Sequence, residues 1–305
     1  MPLPVFGIAP SGFRLPAATR VGAVHLQVGD LERSLRFYQQ TLGFRAPGPG
    51  GAGEEGEIGL FAREGERGTV APAPLVHLRA RVGTKPARRG GLGLYHFAIL
   101  LPDRASLGAL LAHLDRSGVA FGGGDHLVSE ALYLADPDGL GIEVYADRPR
   151  ESWRARRGEL VMTTEAIDAD GLLREAAGRA WEGMPPGTRI GHVHLSVGDL
   201  TEAEAFYHRA LGFDKVVWSY PGALFFSAGG YHHHLGTNTW GRGGPAAEDE
   251  ARLLSWELQL PGADDAAAAS RSLEAAGYVV EPDAVGGFGA ADPWGQILNV
   301  TISHT

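Results

Sequence analysis

Residues 124–143, GDHLVSEALYLADPDGLGIE, place His126, Tyr133, Asp136 and Glu143 within one short stretch. Imidazole, phenol and carboxylate side chains together can bind a metal ion, hold a polar substrate and move protons near neutral pH. Further histidines stand on short apolar runs: His25 in VGAVHLQV, His77 in APLVHLRARVG and His96 in LGLYHFAILL. The chain carries 12 His and no Cys. Disulfides, iron–sulfur clusters, thiolate zinc sites and a cysteine nucleophile are therefore excluded, and any bound metal must use nitrogen and oxygen donors.

The elements that would position these groups come from a repeat. Residues 21–44, VGAVHLQVGDLERSLRFYQQTLGF, recur at 190–213 as IGHVHLSVGDLTEAEAFYHRALGF, sharing GxVHLxVGDL and FYxxxLGF in register. The first run alternates, so Val24, Leu26 and Val28 point to one face of a strand and His25 and Gln27 to the other. The second run is helical: Asp30 is the N-cap, Leu31, Leu35, Tyr38 and Leu42 follow helical spacing, and Gly43 supplies the stop. Short strand-like runs near 57–62 and 75–81 complete one βαβββ unit. A second unit takes strand 92–101, helix 103–117 and the late strands ALYLAD and GIEVYAD. The other half repeats the plan with strand 190–197, helix 200–211, strands near 214–219, 223–228 and 231–237, then LLSWELQL, helix 264–276 and strands near 288–291 and 297–302. Four units result. Residues 20–147 and 189–303 read as two domains of two units each, and 148–188 as a surface connector with a short helix at 170–181.

The chain has 305 residues, 21% charged and 44% hydrophobic, which suits a folded protein of about two domains. Its formal charge of -9 and lack of a long Lys/Arg run argue against nucleic acid as a partner. No uninterrupted apolar stretch of about 18 residues and no leader-like N-terminus occur, so a cytoplasmic protein without membrane contact is expected.

His126, Tyr133, Asp136, Pro137, Gly139 and Glu143 stand in a spacing that resembles the signature of type I extradiol ring-cleaving dioxygenases of the vicinal oxygen chelate superfamily, the catechol 2,3-dioxygenase branch in particular. The resemblance implies an α+β fold of four βαβββ units paired into two half-open barrel domains. It further implies a divalent metal, Fe(II) or Mn(II), held by His25, His96 and Glu143. The strand alternation is compatible, since His25 shares a face with Gln27, His96 with Leu94 and Ala98, and Glu143 with Tyr145. By the same resemblance His77 is the acid–base residue, and His126 and Tyr133 hydrogen-bond substrate oxygens, binding the substrate and supporting acid–base chemistry. The implied reaction joins a catecholic substrate and O2 into a 2-hydroxymuconic semialdehyde-type product, in a homo-oligomeric enzyme. Asp136, Pro137 and Gly139 read as a turn.

In the second half, Ser255, Asn299 and Gly289 stand where the first half has His96, Glu143 and Tyr133, so that half is expected to be a non-catalytic copy. A competing reading joins His232 and His234 of YHHHLG to His194 in a second metal site. Two other functions fit the same fold: a glyoxalase-type metal-dependent isomerase or lyase, and a metal-free drug-sequestering protein.

Overall fold

The computed structural model describes residues 5–47, 56–65 and 73–303. The first unit contains β1 (Arg20–Val28), α1 (Leu31–Arg36, continued by one π-helical turn, Phe37–Thr41), β2 (Glu57–Leu60) and β3 (Val76–Ala80). The second has β4 (Gly93–Leu100), α2 (Arg104–Arg116), β5 (Gly122–Asp125), β6 (Ser129–Ala135) and β7 (Gly141–Asp147). Between the halves lie β8 (Ala155–Arg156), β9 (Glu159–Leu160) and α3 (Ala169–Ala176). The third unit is β10 (Arg189–Ser196), α4 (Leu200–Ala203, continued through the π-helical Glu204–Ala210), β11 (Asp214–Val217), β12 (Ala223–Ser227) and β13 (Leu235–Asn238). The fourth is β14 (Arg252–Leu260), α5 (Ala263–Ala275), β15 (Val280–Pro282), β16 (Phe288–Ala291) and β17 (Ile297–Ile302).

Local signals act as expected. Asp30 accepts a hydrogen bond from Arg33 N at 3.0 Å, and Asp199 accepts from Thr201 N and Glu202 N at 2.7 and 2.9 Å, each supplying a helix with its missing N-terminal acceptor. Gly43 has φ of 81°, and a Cβ there would meet Gly183 Cα at 2.3 Å, so only glycine serves as this helix stop. Val24, Leu26 and Val28 are fully buried, as their alternation predicts.

The repeat also installs a tie that its sequence motif did not reveal. Tyr38 donates to Asp136 at 3.3 Å and Tyr207 to Asp292 at 2.8 Å, so the tyrosine of each FYxxxLGF motif anchors the turn of the following unit. Asp136 and Asp292 also accept backbone N–H groups of their own turns, from Asp138 and Leu140 and from Trp294 and Gln296. Tyr207→Phe should lower stability by about 1–3 kcal/mol, because it leaves the buried Asp292 carboxyl short of a donor; urea unfolding would measure this. Wild-type stability would show that the bond is not a tie.

The strands do not pair as the two-domain reading expected. An eight-stranded sheet runs β11-β12-β13-β10-β4-β7-β6-β5, and a seven-stranded sheet runs β15-β16-β17-β14-β1-β3-β2. Each curled sheet thus joins one unit from each half, the second with the third and the first with the fourth. The first strands pair antiparallel across the halves, β10 with β4 and β1 with β14. The connector is a further correction. Trp153, Leu160, Leu172 and Met184 are buried, so it packs into the molecule and does not merely run over its surface.

Candidate functional site

The eight-stranded sheet builds a row of side chains across three strands. On β10 and β4, His192 stands opposite Ala98 and His194 opposite His96; on β4 and β7, Ala98 stands opposite Glu143. Side chains in register share a sheet face, so His192, Ala98 and Glu143 lie in one row, with His96 two residues along. Ala98, fully buried and small, leaves space between its neighbours. His96 Nε2 lies 3.0 Å and His192 Nε2 3.3 Å from the same Glu143 oxygen, Oε2. The three residues are 6%, 1% and 2% exposed for His96, His192 and Glu143.

Electrostatics explain why the group is poised. Burial opposes ionisation of Glu143, but His192 and His96 overcome it and hold the carboxyl well below its usual range. Burial drives His192 down to about 4 against the attraction of Glu143, so its imidazole is neutral near pH 7 and free to act as a donor. Despite its proximity to Glu143, His96 Nε2 has no hydrogen-bond partner, since the contact is misaligned for one. Two imidazole nitrogens and a carboxylate oxygen therefore converge in a buried place. The donor set fits a divalent iron or manganese ion with open positions. Charge balance supports the fit: among the described residues lining the cavity, Glu143 is the only acid and there is no Lys or Arg, so no resident cation would repel a divalent ion there.

These residues form the floor of a cavity of about 330 Å³, a size suited to a small ligand. Tyr95, Tyr220, Phe225 and Trp240 supply aromatic walls, and Met162, Thr163 and Thr164 come from the connector. His126 Nδ1 donates to Thr163 O at 2.8 Å, which leaves Nε2 to accept from Tyr133 Oη at 2.5 Å. Burial, then the Glu143 charge, raise the Tyr133 phenol well above its ordinary value, so it stays protonated. On the opposite wall His233 is held by a chain. Asp147 Oδ1 accepts from His232 Nε2 at 2.9 Å, so His232 Nδ1 accepts from His233 Nδ1 at 2.7 Å. His233 Nε2 is then the unprotonated nitrogen available to the cavity. His194 also lines the cavity, where the absence of a side chain at Gly236 makes room for its ring: a Cβ there would lie 2.9 Å from His194 Cγ.

The matching family model spans residues 20–144 and 189–298, so it covers both halves. The chain belongs to the glyoxalase/bleomycin resistance protein/dioxygenase superfamily. This superfamily member is 45% identical over 269 residues to a catechol-2,3-dioxygenase of Bacillus subtilis (strain 168), covering 86% of the chain and 90% of that relative. A solved structure from Bacillus subtilis subsp. subtilis str. 168 matches 96% of this chain and 87% of its own, with TM-score 0.65 and 12% identity. Glyoxalase I from Zea mays matches 93% of this chain and 92% of its own, with TM-score 0.52 and 17% identity. At such low identity the two structures speak for the fold alone.

Against the sequence-based expectations, His96, Glu143, His126 and Tyr133 are brought together at one cavity. His25 and His77 are not. Because β1 pairs with β14, His25 faces Ser255 in the other sheet, and His77 on β3 stacks on it with ring centroids 4.3 Å apart. The position beside Glu143 is filled by His192, which the repeat alignment sets against Ala23. That mismatch was the available signal: the repeats share what folds them and differ where one of them holds a site. The set His194, His232 and His234 does not gather either. His232 is tied to Asp147, and His234 Nδ1 accepts from Ala228 N at 3.2 Å. The second half is no bystander, since it contributes His192 and His233.

Proposed function

We propose that this chain is an extradiol dioxygenase that cleaves catechol or a substituted catechol with O2 to a 2-hydroxymuconic semialdehyde-type product. The observation that carries the reading is the convergence of His96, His192 and Glu143 beside the His126–Tyr133 pair, in a homologue 45% identical to a catechol-2,3-dioxygenase. His96, His192 and Glu143 are the proposed ligands, with His192 in place of His25. Bound there, Fe(II), or Mn(II), would acidify a chelating catechol and make an electron path from it to O2.

The protein's own groups do the rest. His233 Nε2, kept unprotonated by His232 and Asp147, takes a proton from a catechol hydroxyl and replaces His77 in the acid–base role. Tyr133 donates to His126, and the pair holds a substrate oxygen from the other wall. The aromatic side chains sandwich a planar ring and exclude water. Glu143, the only carboxylate among the described residues lining the cavity, orients the two imidazoles toward one point. A cytoplasmic location and a homo-oligomeric state belong to the same reading. No helix among the described residues is long and apolar enough to cross a membrane.

Catechol and O2 should disappear in equal amounts, with both atoms of labelled O2 recovered in a coloured ring-opened aldehyde. A muconic diacid would mean cleavage between the hydroxyls. No O2 uptake across a panel of catechols would reject the proposal and favour glyoxalase-type chemistry.

A further inference from the structure

The seven-stranded sheet carries a second cluster of metal-ligating side chains that the proposed reaction does not use. The register relates the two sheets position by position: Ala23, Ser255 and Asn299 occupy the places of His192, His96 and Glu143. Those places hold no donor set here, and Asn299 Nδ2 donates to Ser255 Oγ at 3.2 Å. On the same face, Glu257 fills the place of Ala98, and His25, His77 and Glu57 gather beside it.

The contacts of this cluster place its nitrogen and oxygen atoms together. Glu257 accepts Ala23 N–H at 3.0 Å through Oε2 and faces His25 Nε2 at 3.3 Å through Oε1. With an ion at Nδ1, the proton of His25 would sit on Nε2 and point to this carboxylate, the arrangement by which outer-sphere carboxylates orient metal-binding imidazoles. His25 Nδ1 lies within hydrogen-bond distance of Glu57 Oε2 at 3.3 Å, a contact an ion between them would replace, and His77 Nδ1 stands 3.6 Å from the same oxygen. Three possible ligand atoms from β1, β2 and β3 thus lie together, at separations near those between neighbouring ligands of a four-coordinate ion. Glu57 Oε1 is engaged by Arg79 Nε at 3.3 Å, which leaves Oε2 for the cluster. The side chains of His25, Glu57 and His77 are 16–21% exposed, so an ion can reach them from solvent. The two rings are nearly parallel, 7° apart, so one must turn about its soft Cβ–Cγ bond to aim its lone pair at a shared ion.

We infer that His25, Glu57 and His77, with Glu257 orienting His25, form a second divalent transition-metal site, one that pins the edge strand β2 to β3 and β1. It is distinct from the centre at Glu143 and does not rest on the proposed reaction.

Cobalt(II) added to the chelator-stripped full chain tests it, read by its visible absorption and by metal analysis after desalting. Wild type should hold two ions per chain, while Glu57→Gln and His77→Gln each hold one and Glu143→Gln keeps the ion of the second site. The absorption lost in Glu57→Gln should equal that lost in His77→Gln. Thermal melts of the stripped variants check folding, and should Glu57→Gln fail to fold, His77→Gln decides. One ion per wild-type chain, lost only in Glu143→Gln, would overturn the inference. So would a second ion that survives both Glu57→Gln and His77→Gln, since that ion would lie elsewhere. Retention of both ions by Glu143→Gln would instead count against the reading of the principal centre.

Discussion

Glu143→Gln should yield a folded chain that no longer retains the metal of the principal centre and turns over catechol at background level. The substitution keeps the shape of the side chain and removes its charge. Two imidazoles alone rarely retain a labile divalent ion, and the pull of Glu143 on both nitrogens is lost as well. Folding should survive, because the amide keeps the shape of the buried side chain and leaves no cavity. Because His192 and His96 favour the ionised carboxyl in the folded chain, the metal-free variant should melt below the metal-free wild type while still unfolding cooperatively. Metal analysis, oxygen uptake and a thermal melt together test this. Full metal content with near-normal turnover would show that Glu143 is a structural acid.

His233→Ala should separate proton transfer from metal binding. Turnover should fall by roughly 100- to 10,000-fold, the usual contribution of a positioned acid–base group. The metal should stay, since His233 is not among the three converging donors. Catechol should still bind without O2, because its vicinal oxygens would chelate the ion. His233→Gln keeps a hydrogen bond to His232 but cannot carry a proton, so it should resemble the alanine variant. His77→Ala, in contrast, should turn over catechol at the wild-type rate. Loss of metal from His233→Ala, or near-normal turnover in both His233 variants, would remove the residue from this role.

The fold was largely legible in the sequence, and the site only in part. Strand alternation, Asp caps at Asp30 and Asp199 and the glycine stop at Gly43 are local signals, and local backbone physics obeys them. The partner of a first strand is not a local matter. β1 and β10 have nearly the same alternating sequence, so nothing in either says whether it pairs with β4 or with β14. His25 was accordingly set beside His96, where the structure sets His194. For the same reason His77, expected at the same site, lies beside His25 in the other sheet and away from the Glu143 cavity. His126, Tyr133, His96 and Glu143 were legible because all four lie within one unit, whose internal order the chain fixes by itself. His192 and His233 were missed because they come from the other half. YHHHLG reads as a strand from its alternation, but the strand begins only at Leu235, so parity does not place its histidines and His233 is the one that lines the cavity.

The central claim is that the metal centre is assembled across the two halves, with His192 of the third unit completing the pair from the second. Metal content of His192→Ala and His25→Ala, purified anaerobically with iron(II), tests it most directly, read together with catechol-dependent O2 uptake. His192→Ala should lose the iron of the active centre and all catechol-dependent uptake, whereas His25→Ala should keep both. An active, iron-loaded His192→Ala beside an inactive, iron-free His25→Ala would contradict the account and return the site to the first half.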